Sequence, residues 1–353
     1  MRYKLLGRSG LRVSELCLGT MTFGEDWGWG ASSEESRKIY DAFREAGGNF
    51  IDTANLYTNG TSERFLGEFM EGHRGSIVLA TKYTNAAPGK DPNAAGNQRK
   101  NMMQACEASL KRLRTDYIDL YWLHVWDQMT PVEEVMRGFD DLVRSGKVLY
   151  AGVSDAPAWW VSRANAIAEL RGWTAFVGLQ VEWSLIERTV ECELAPMARA
   201  LGLAVTPWGP IGAGVLTGKY TNRDGTPKKS TGESARYENP MMAEWAKLDA
   251  QKHAIARTVM DVADQTGRSA AQVAINWLRQ KGIPSSPVIP IIGARKASQV
   301  RDNLKAVDWT LGPEQLHRLD EVSRIEPGFP QSFYAKDLVR TFAYGGTREL
   351  IDA

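Results

Sequence analysis

Eight short apolar segments recur along the 353-residue chain, and the first seven begin roughly thirty residues apart. They are LCLGT (16–20), NFIDTA (49–54), SIVLATK (76–82), YIDLYWLH (117–124), VLYAGVS (148–154), FVGLQVE (176–182), LAVTPW (203–208) and PVIPIIG (287–293). Most show little alternation of apolar and polar residues, which is typical of strands covered on both faces. Segments with helical periodicity lie between them, for example residues 33–47, 131–147 and 269–282. The pattern predicts an α/β fold, a (β/α)8 TIM barrel.

An open doubly wound sheet is the main alternative to the barrel. Such a sheet usually carries a glycine fingerprint after its first strand, but GWGASS (28–33) has serine in place of the third glycine. The N-terminal YKLLGRSGLRVS (3–14) predicts a β-hairpin that closes the bottom of the barrel. Residues 209 to about 239 predict a long functional loop. Because no repeat or linker divides the chain, we predict one domain over residues 1–353.

The charge balance gives no reason to expect a nucleic acid or a membrane as a partner. Lys plus Arg number 43 and Asp plus Glu 42, so the net charge of +1 creates no attractive field for polyanions. No segment approaches about 18 consecutive apolar residues, and the N-terminus lacks a signal-peptide pattern. The three cysteines, Cys17, Cys106 and Cys192, favour reduced thiols. We therefore expect a cytoplasmic protein, and we predict no metal site.

Four polar residues stand at or just after the ends of three consecutive predicted strands: Asp52, Tyr57, Lys82 and His124. Each alone has an ordinary explanation, as a cap, a loop anchor, a solvated cation or a packing histidine. Together they meet at the C-terminal rim of the predicted barrel, where such folds place their chemistry.

These four side chains form a chemically consistent set. The cation of Lys82 is expected to lower the pKa of Tyr57, and Asp52 is expected to pair with Lys82 so that neither charge is buried alone. His124 could then orient a carbonyl oxygen beside the phenol. The set predicts a site that protonates an oxygen while the carbonyl carbon receives a hydride, and the hydride requires a cofactor.

The sequence resembles the aldo-keto reductases over nearly its whole length. The motifs that carry this resemblance are GRSGLRVSELCLGTMTFG (7–24), FIDTANLY (50–57), the Lys of ATK (80–82), the His of YWLH (121–124), GVS (152–154), GVLTGKY (214–220) and IIGARKASQVRDNL (291–304). The resemblance implies that Tyr57 is the general acid, that Asp52 and Lys82 tune it, and that His124 positions the substrate carbonyl.

The resemblance also implies NADPH as the cofactor. Its nicotinamide is expected at the ends of strands five to seven, its diphosphate beneath the glycine-rich start of the long loop, and its 2′-phosphate at the helix after strand eight. The implied cofactor contacts are Thr20, Met21, Asp52, Ser154, Asp155, Gln180, Trp208, Gly209, Pro210, Ile211, Gly212, Gly214, Leu216, Lys219, Gly293, Ala294, Arg295, Gln299, Asp302 and Asn303.

Three of these positions depart from the family's common pattern. Asp155 stands where the family commonly has asparagine, Trp208 where a smaller aromatic residue is common, and Gln299 where better-known relatives have arginine. The sequence shows no acid suited to a ribose 2′-hydroxyl, and this favours NADPH over NADH.

Aromatic residues crowd the predicted mouth of the site, and we predict substrate contacts at Phe23, Trp27, Trp29 and Trp126. A wide aromatic mouth suits a bulky, ring-containing ketone or aldehyde. The chain looks similar to bacterial reductases of bulky ketones and xenobiotics, including oxidised trichothecene toxins, and the tail segment 326–333 is a candidate cover for the mouth.

Two other functions are compatible with the same residues. A nucleotide-sensing binding subunit, as in potassium-channel beta subunits, would share the fold and the cofactor site. A Schiff-base lyase would use Lys82 as its nucleophile, but a neighbouring Asp52 that keeps the lysine protonated speaks against it.

Overall fold

A parallel eight-stranded barrel forms the body of the protein in the computed structural model, which describes residues 1–228 and 248–352. Its strands are β3 (Cys17–Gly19), β4 (Phe50–Asp52), β5 (Val78–Tyr83), β6 (Ile118–Leu123), β7 (Val148–Ser154), β8 (Phe176–Glu182), β9 (Ala204–Trp208) and β10 (Ile291–Gly293). They pair in the order β10-β3-β4-β5-β6-β7-β8-β9. A parallel bridge from Val205 to Val288, just before β10, closes the ring. The predicted (β/α)8 barrel is confirmed.

Helices follow the strands and cover the outside of the barrel. The described helices are α1 (Ser33–Glu45), α2 (Thr61–Phe69), α3 (Arg99–Leu113), α4 (Val132–Arg144), α5 (Ala158–Arg171), α6 (Leu194–Leu201), α7 (Ala250–Thr266), α8 (Ala270–Arg279), α9 (Ala297–Leu304), α10 (Pro313–Val322), α11 (Gln331–Tyr334) and α12 (Asp337–Ala343). Within the described ranges, no helix has both the length and the apolar character needed to cross a bilayer.

The N-terminal hairpin closes the barrel at the end opposite the site, as the sequence predicts. Its strands, β1 (Tyr3–Leu5) and β2 (Arg12–Ser14), pair antiparallel. The adjoining Leu6 and the strand residue Val13 are fully buried in one cluster with Trp122, inside the barrel. The backbone N–H of Ser14 donates to Asn49 Oδ1 at 2.7 Å, just before β4 begins. This bond anchors the hairpin to the N-terminal ends of the strands.

A single indole fills much of the barrel interior. Trp122 on β6 is fully buried, and glycines face it from the two following strands. A Cβ at Gly152 would lie 2.3 Å from Trp122 Cε3, and one at Gly178 would lie 2.9 Å from Trp122 Cη2. Those glycines are therefore required because the indole occupies the space that a side chain would need.

The long loop after β9 is described over residues 209–228, and the rest of its predicted extent, 229–239, lies outside the described residues. Its first part contains a 3-10 segment, Gly212–Thr217, in which Ala213 and Gly214 have φ values of 50° and 100°. The side chains of Val215 and Tyr220 are buried against Ala256 of α7. This packing fixes the start of the loop to the outer helices.

Candidate active site

Three of the four predicted catalytic residues form one buried cluster at the C-terminal rim of the barrel. Lys82 Nζ donates to the carboxylate of Asp52, to the carbonyl oxygen of Thr53 at 2.8 Å, and to the Tyr57 hydroxyl at 3.2 Å. Lys82 is 0% exposed and Asp52 is 2% exposed. The three N–H donors of the lysine are therefore used by a counterion, a carbonyl oxygen and the phenol, and Asp52 neutralises its buried charge.

A strained turn places Tyr57 over this lysine. The two residues after it, Thr58 and Asn59, have left-handed φ values of 45° and 52°. The hydroxyl of Thr58 donates to the carbonyl oxygen of Phe23 at 2.5 Å and accepts from the backbone N–H of Ser62 at 3.1 Å. Sequence analysis missed Thr58 as a support of the site, because its role depends on a backbone conformation that is uncommon for threonine.

The fourth residue, His124, lies directly after β6 and beside the phenol. Its ring and that of Tyr57 form an edge-to-face pair with centroids 5.8 Å apart. His124 Nδ1 is buried and has no hydrogen-bond partner among the described residues. Burial and the nearby cation of Lys82 lower the pKa of His124 well below its usual value. The imidazole is thus neutral, with one ring nitrogen able to donate and the other able to accept.

The protonation states of the cluster differ in one respect from the sequence prediction. Burial raises the pKa of Tyr57, and the opposing effect of the Lys82 cation is too small to bring it below the ordinary value. The predicted lowering of that pKa is therefore wrong, because the desolvation of the phenol dominates. For Lys82, burial lowers the pKa, but Asp52 and Tyr57 raise it more strongly, so the net shift is upward. Tyr57 keeps its proton, and Lys82 keeps its charge.

Three predicted cofactor residues connect to this cluster from β7, β8 and β9. Gln180 Nε2 donates to Asp52 Oδ1 at 2.9 Å. Trp208 Nε1 donates to Asp155 Oδ1 at 3.2 Å. Asp155 has a left-handed φ of 42°, a conformation that aspartate and asparagine tolerate better than most residues. Burial raises the pKa of Asp155 to about 6, while the hydrogen bond from Trp208 opposes that rise.

A second acid, Glu182, ends β8 next to this group. Burial and the neighbouring carboxylates of Glu187 and Asp155 raise its pKa to about 7. Sequence analysis missed Glu182, although it ends an apolar strand just as Asp52 does. The rim therefore carries one more acid, at the end of β8, than the predicted residue set contains.

The residues after β3 support the cluster through hydrogen bonds. Thr20 is fully buried, and its hydroxyl donates to the carbonyl oxygen of Asp52 at 2.9 Å. The hydroxyl of Ser62 donates to the carbonyl oxygen of Thr20 at 2.8 Å. Met21 is half-buried at the rim. Thr20 thus ties β3 to β4 at the level of the catalytic carboxylate.

The loop after Trp208 presents an open glycine backbone. The predicted contacts in it are Gly209, Pro210, Ile211, Gly212, Gly214, Leu216 and Lys219. Gly209 and Gly214 have φ values of 70° and 100°, and a Cβ on either would meet no other atom closer than 3.8 Å. Leu216 is fully buried in the main core, so it can offer a ligand little more than its backbone. The glycines leave room for a ligand to approach the main chain.

The predicted phosphate end lies at the start of α9. Gln299 Oε1 accepts from the backbone N–H groups of Arg295 at 2.9 Å and Lys296 at 3.2 Å. Glu35 of α1 reaches the same helix end, where its Oε1 accepts from the backbone N–H of Ala297 at 2.6 Å. This carboxylate was not among the predicted site residues. Glu35 was missed because 262 residues of sequence separate the two groups.

The remaining predicted contacts at this end are Gly293, Ala294, Asp302 and Asn303. Gly293 ends β10, and Ala294 and Asn303 are buried. The carboxylate of Asp302 accepts from Ser269 Oγ at 2.6 Å and from Gln272 Nε2 at 2.7 Å. Asp302 therefore joins α9 to the start of α8, and its adenine contact stays a prediction.

Two pairs of tryptophans lie near the candidate site residues. The ring of Trp27 lies 6.5 Å from that of Tyr57 and 5.8 Å from that of Trp29, centroid to centroid. Trp126, whose backbone N–H donates to the carbonyl oxygen of Asp155, packs edge-to-face against Trp159, with centroids 5.6 Å apart. Trp159 is 58% exposed and was not among the predicted substrate contacts.

Phe23 and the tail are placed differently from the other aromatic residues of the prediction. Phe23 is fully buried and packs against Phe69 in the core, with centroids 6.3 Å apart. In the tail, Gln331 Nε2 donates to the carbonyl oxygen of Cys192 at 3.1 Å, while Phe329 is 82% exposed. Cover of the mouth by residues 326–333 stays a prediction.

Comparison with known proteins agrees with this geometry. A model of the aldo/keto reductase family matches residues 15–324. An aryl-alcohol dehydrogenase [NADP(+)] of Phanerodontia chrysosporium is 40% identical over 91% of this chain and 85% of its own length. A norsolorinic acid reductase of Aspergillus flavus is 37% identical over 93% and 82%, respectively. An aldo-keto reductase of Emericella nidulans is 36% identical over 95% and 85%. The chain therefore belongs to the aldo/keto reductase family and is an oxidoreductase that acts on carbonyl compounds.

Proposed function

We propose that the protein uses NADPH to reduce bulky aromatic aldehydes or ketones to alcohols, with Tyr57 as the general acid. The observation that carries this proposal is the buried contact of Lys82 with both Asp52 and the Tyr57 hydroxyl, beside the unpaired Nδ1 of His124. A protonated phenol and a neutral imidazole at one point suit a carbonyl oxygen that must gain a proton.

The reaction needs a hydride at the carbonyl carbon, and the reduced nicotinamide supplies it when bound. The Tyr57 hydroxyl gives its proton to the carbonyl oxygen as the alcohol forms. The phenolate left behind lies 3.2 Å from Lys82 Nζ, so the cation stabilises the charge that develops. Asp52 holds that cation in place, and His124 orients the carbonyl by hydrogen bonding.

The residues present fit a nicotinamide dinucleotide. The half-buried ring of Trp208 offers a stacking surface beside Asp155. The open backbone at Gly209 and Gly214 suits a diphosphate. At the other end, Arg295 and Lys296 bring two cations to the start of α9, where a 2′-phosphate would bind. The relative of Phanerodontia chrysosporium carries NADP(+) in its name, which agrees with this assignment.

Glu35 weakens this phosphate site, and its replacement tests the assignment. Its carboxylate accepts from Ala297 N–H and so lies where the 2′-phosphate is expected. We expect Glu35→Gln to tighten NADPH binding about two- to fivefold, because the substitution removes a charge that repels the phosphate. NADH, which lacks the 2′-phosphate, should change less. Titration of the intrinsic fluorescence with each nucleotide measures both constants. Glu34→Gln is the matched control, and weaker NADPH binding by Glu35→Gln would contradict the prediction.

The aromatic entrance supports a ring-containing substrate. Trp27 lies beside Tyr57 and Trp29, and Trp126 packs against Trp159. Flat carbonyl compounds can stack on such rings. The relatives' names include aryl-alcohol dehydrogenase and norsolorinic acid reductase, and aromatic alcohols and carbonyls are the chemistry they suggest. None of the relatives compared supports the narrower hypothesis of an oxidised trichothecene toxin.

The test is an assay of nicotinamide oxidation with NADPH and NADH, against substituted benzaldehydes, aryl ketones and aliphatic aldehydes of similar size. We expect turnover with NADPH and a preference for the aromatic carbonyls. Tight binding of NADPH without turnover of any carbonyl would favour the nucleotide-sensing subunit instead. Equal rates for aromatic and aliphatic carbonyls would contradict the substrate assignment alone.

A further inference from the structure

The carboxylate of Asp155 faces the reacting end of the site. It lies at the end of β7, next to the stacking residue Trp208, whose Nε1 donates to Asp155 Oδ1 at 3.2 Å. The backbone N–H of Asp155 donates to the carbonyl oxygen of Gln180 at 3.1 Å, and its own carbonyl accepts from the backbone N–H of Trp126 at 3.3 Å. Residues at the ends of three neighbouring strands therefore hold Asp155 in place, and its side chain is exposed at the rim.

Asp155 lies near one buried ion pair and one further acid, and Lys252 of α7 partly offsets that acid. Lys82 on β5 attracts the carboxylate, but Asp52 already neutralises this lysine. From β8, Glu182 adds a second acid that interacts with Asp155 unfavourably. Tyr57 and His124 are both neutral, and the charge of Asp155 reaches far enough to raise the pKa of Tyr57. A ring that reacts beside the Tyr57 hydroxyl must lie within the same field.

We propose that the Asp155 carboxylate makes the site select the oxidised over the reduced nicotinamide cofactor. This proposal rests on the proposed function. The oxidised nicotinamide ring is a pyridinium cation, whereas the reduced dihydronicotinamide ring is neutral. A fixed carboxylate would favour the cation and do nothing comparable for the neutral ring. Trp208, which donates to the same carboxylate, would offer the stacking surface that keeps the ring near the charge.

The selectivity depends on the protonation of Asp155. Its pKa is raised to about 6, so the carboxylate is charged above that pH and neutral below it. Burial raises this pKa, and the hydrogen bond from Trp208 and the cation of Lys82 oppose the rise. Tyr57 and His124 keep their neutral forms across the range. Preference for the oxidised cofactor should therefore increase as the pH rises through about 6.

The experiment measures the dissociation constants of NADP+ and NADPH by fluorescence titration, for wild type and Asp155→Asn, at pH values above and below that pKa. Asparagine keeps an acceptor for Trp208 Nε1 but carries no charge. At the higher pH, Asp155→Asn should weaken NADP+ binding about tenfold relative to NADPH. At the lower pH, the two proteins should have similar ratios. Glu314→Gln, a distant exposed acid, should leave the ratio unchanged at both.

A second variant separates the effect of the Asp155 charge from the effect of stacking on Trp208. Trp208→Phe removes the indole donor and keeps the Asp155 carboxylate, so it should weaken both cofactors and retain the pH dependence of their ratio. An unchanged ratio in folded Asp155→Asn at the higher pH would overturn the proposal. Failure of wild type to bind either cofactor would instead overturn the proposed function, so the two failures are distinguishable.

Discussion

Tyr57→Phe is expected to lower kcat for carbonyl reduction by roughly 10²–10⁴-fold, because it removes the proton donor and leaves the ring in place. The phenol is the only group that contacts Lys82 Nζ and also lies beside His124 among the described residues. A nicotinamide oxidation assay at saturating cofactor and substrate measures the loss. The cofactor dissociation constant should change little, since Tyr57 is not among the predicted cofactor contacts.

Two controls test whether the loss of kcat comes from the Tyr57 hydroxyl itself. Tyr334→Phe removes a hydroxyl from an exposed tyrosine in the tail and should leave kcat unchanged. The pH profile adds a second readout, because burial raises the pKa of Tyr57. Wild-type reduction should therefore persist to alkaline pH and decline only as the phenol ionises. A variant Tyr57→Phe that turns over at the wild-type rate would contradict the role of Tyr57.

The barrel and the meeting of the candidate site residues were largely predictable because both depend on local patterns. Strand spacing indicated the topology, and the positions of Asp52, Lys82 and His124 relative to strand ends indicated that they share a rim. The hairpin followed from a short turn between two apolar segments. Helix bounds were less exact, and the prediction for residues 33–47 became Ser33–Glu45 because the backbone turns at the glycines that follow.

The features that the sequence did not indicate depend on contacts between distant residues or on the degree of burial. Glu35 contacts Ala297, which is 262 residues away in the sequence, and no local pattern indicates that contact. The direction of the Tyr57 pKa shift reflects a competition between desolvation and a cation, which cannot be weighed without knowing how completely the ring is buried. Phe23 illustrates the same difficulty, because an aromatic residue near a site can equally belong to the core.

The second large effect is expected from Asp52→Leu, which should lower the free energy of unfolding by about 3–5 kcal/mol. The substitution leaves the Lys82 cation fully buried without its counterion and removes the acceptor for Gln180 Nε2. Denaturant unfolding of wild type and variant measures the difference. Carbonyl reduction should also fall, because Lys82 loses the group that fixes it under the phenol.

The double variant Asp52→Leu/Lys82→Met separates the cost of an unpaired charge from the value of the pair. Because it removes both charges from a buried site, it should recover much of the stability that Asp52→Leu loses, yet remain inactive. The single variant should also become more stable as the pH rises. Its buried, unpaired lysine has a lower pKa in the folded state than in the unfolded chain. The unfolded state therefore binds more protons, and the free energy of unfolding increases with pH. A double variant less stable than Asp52→Leu would show that the ion pair itself, and not the avoidance of an isolated cation, stabilises the rim.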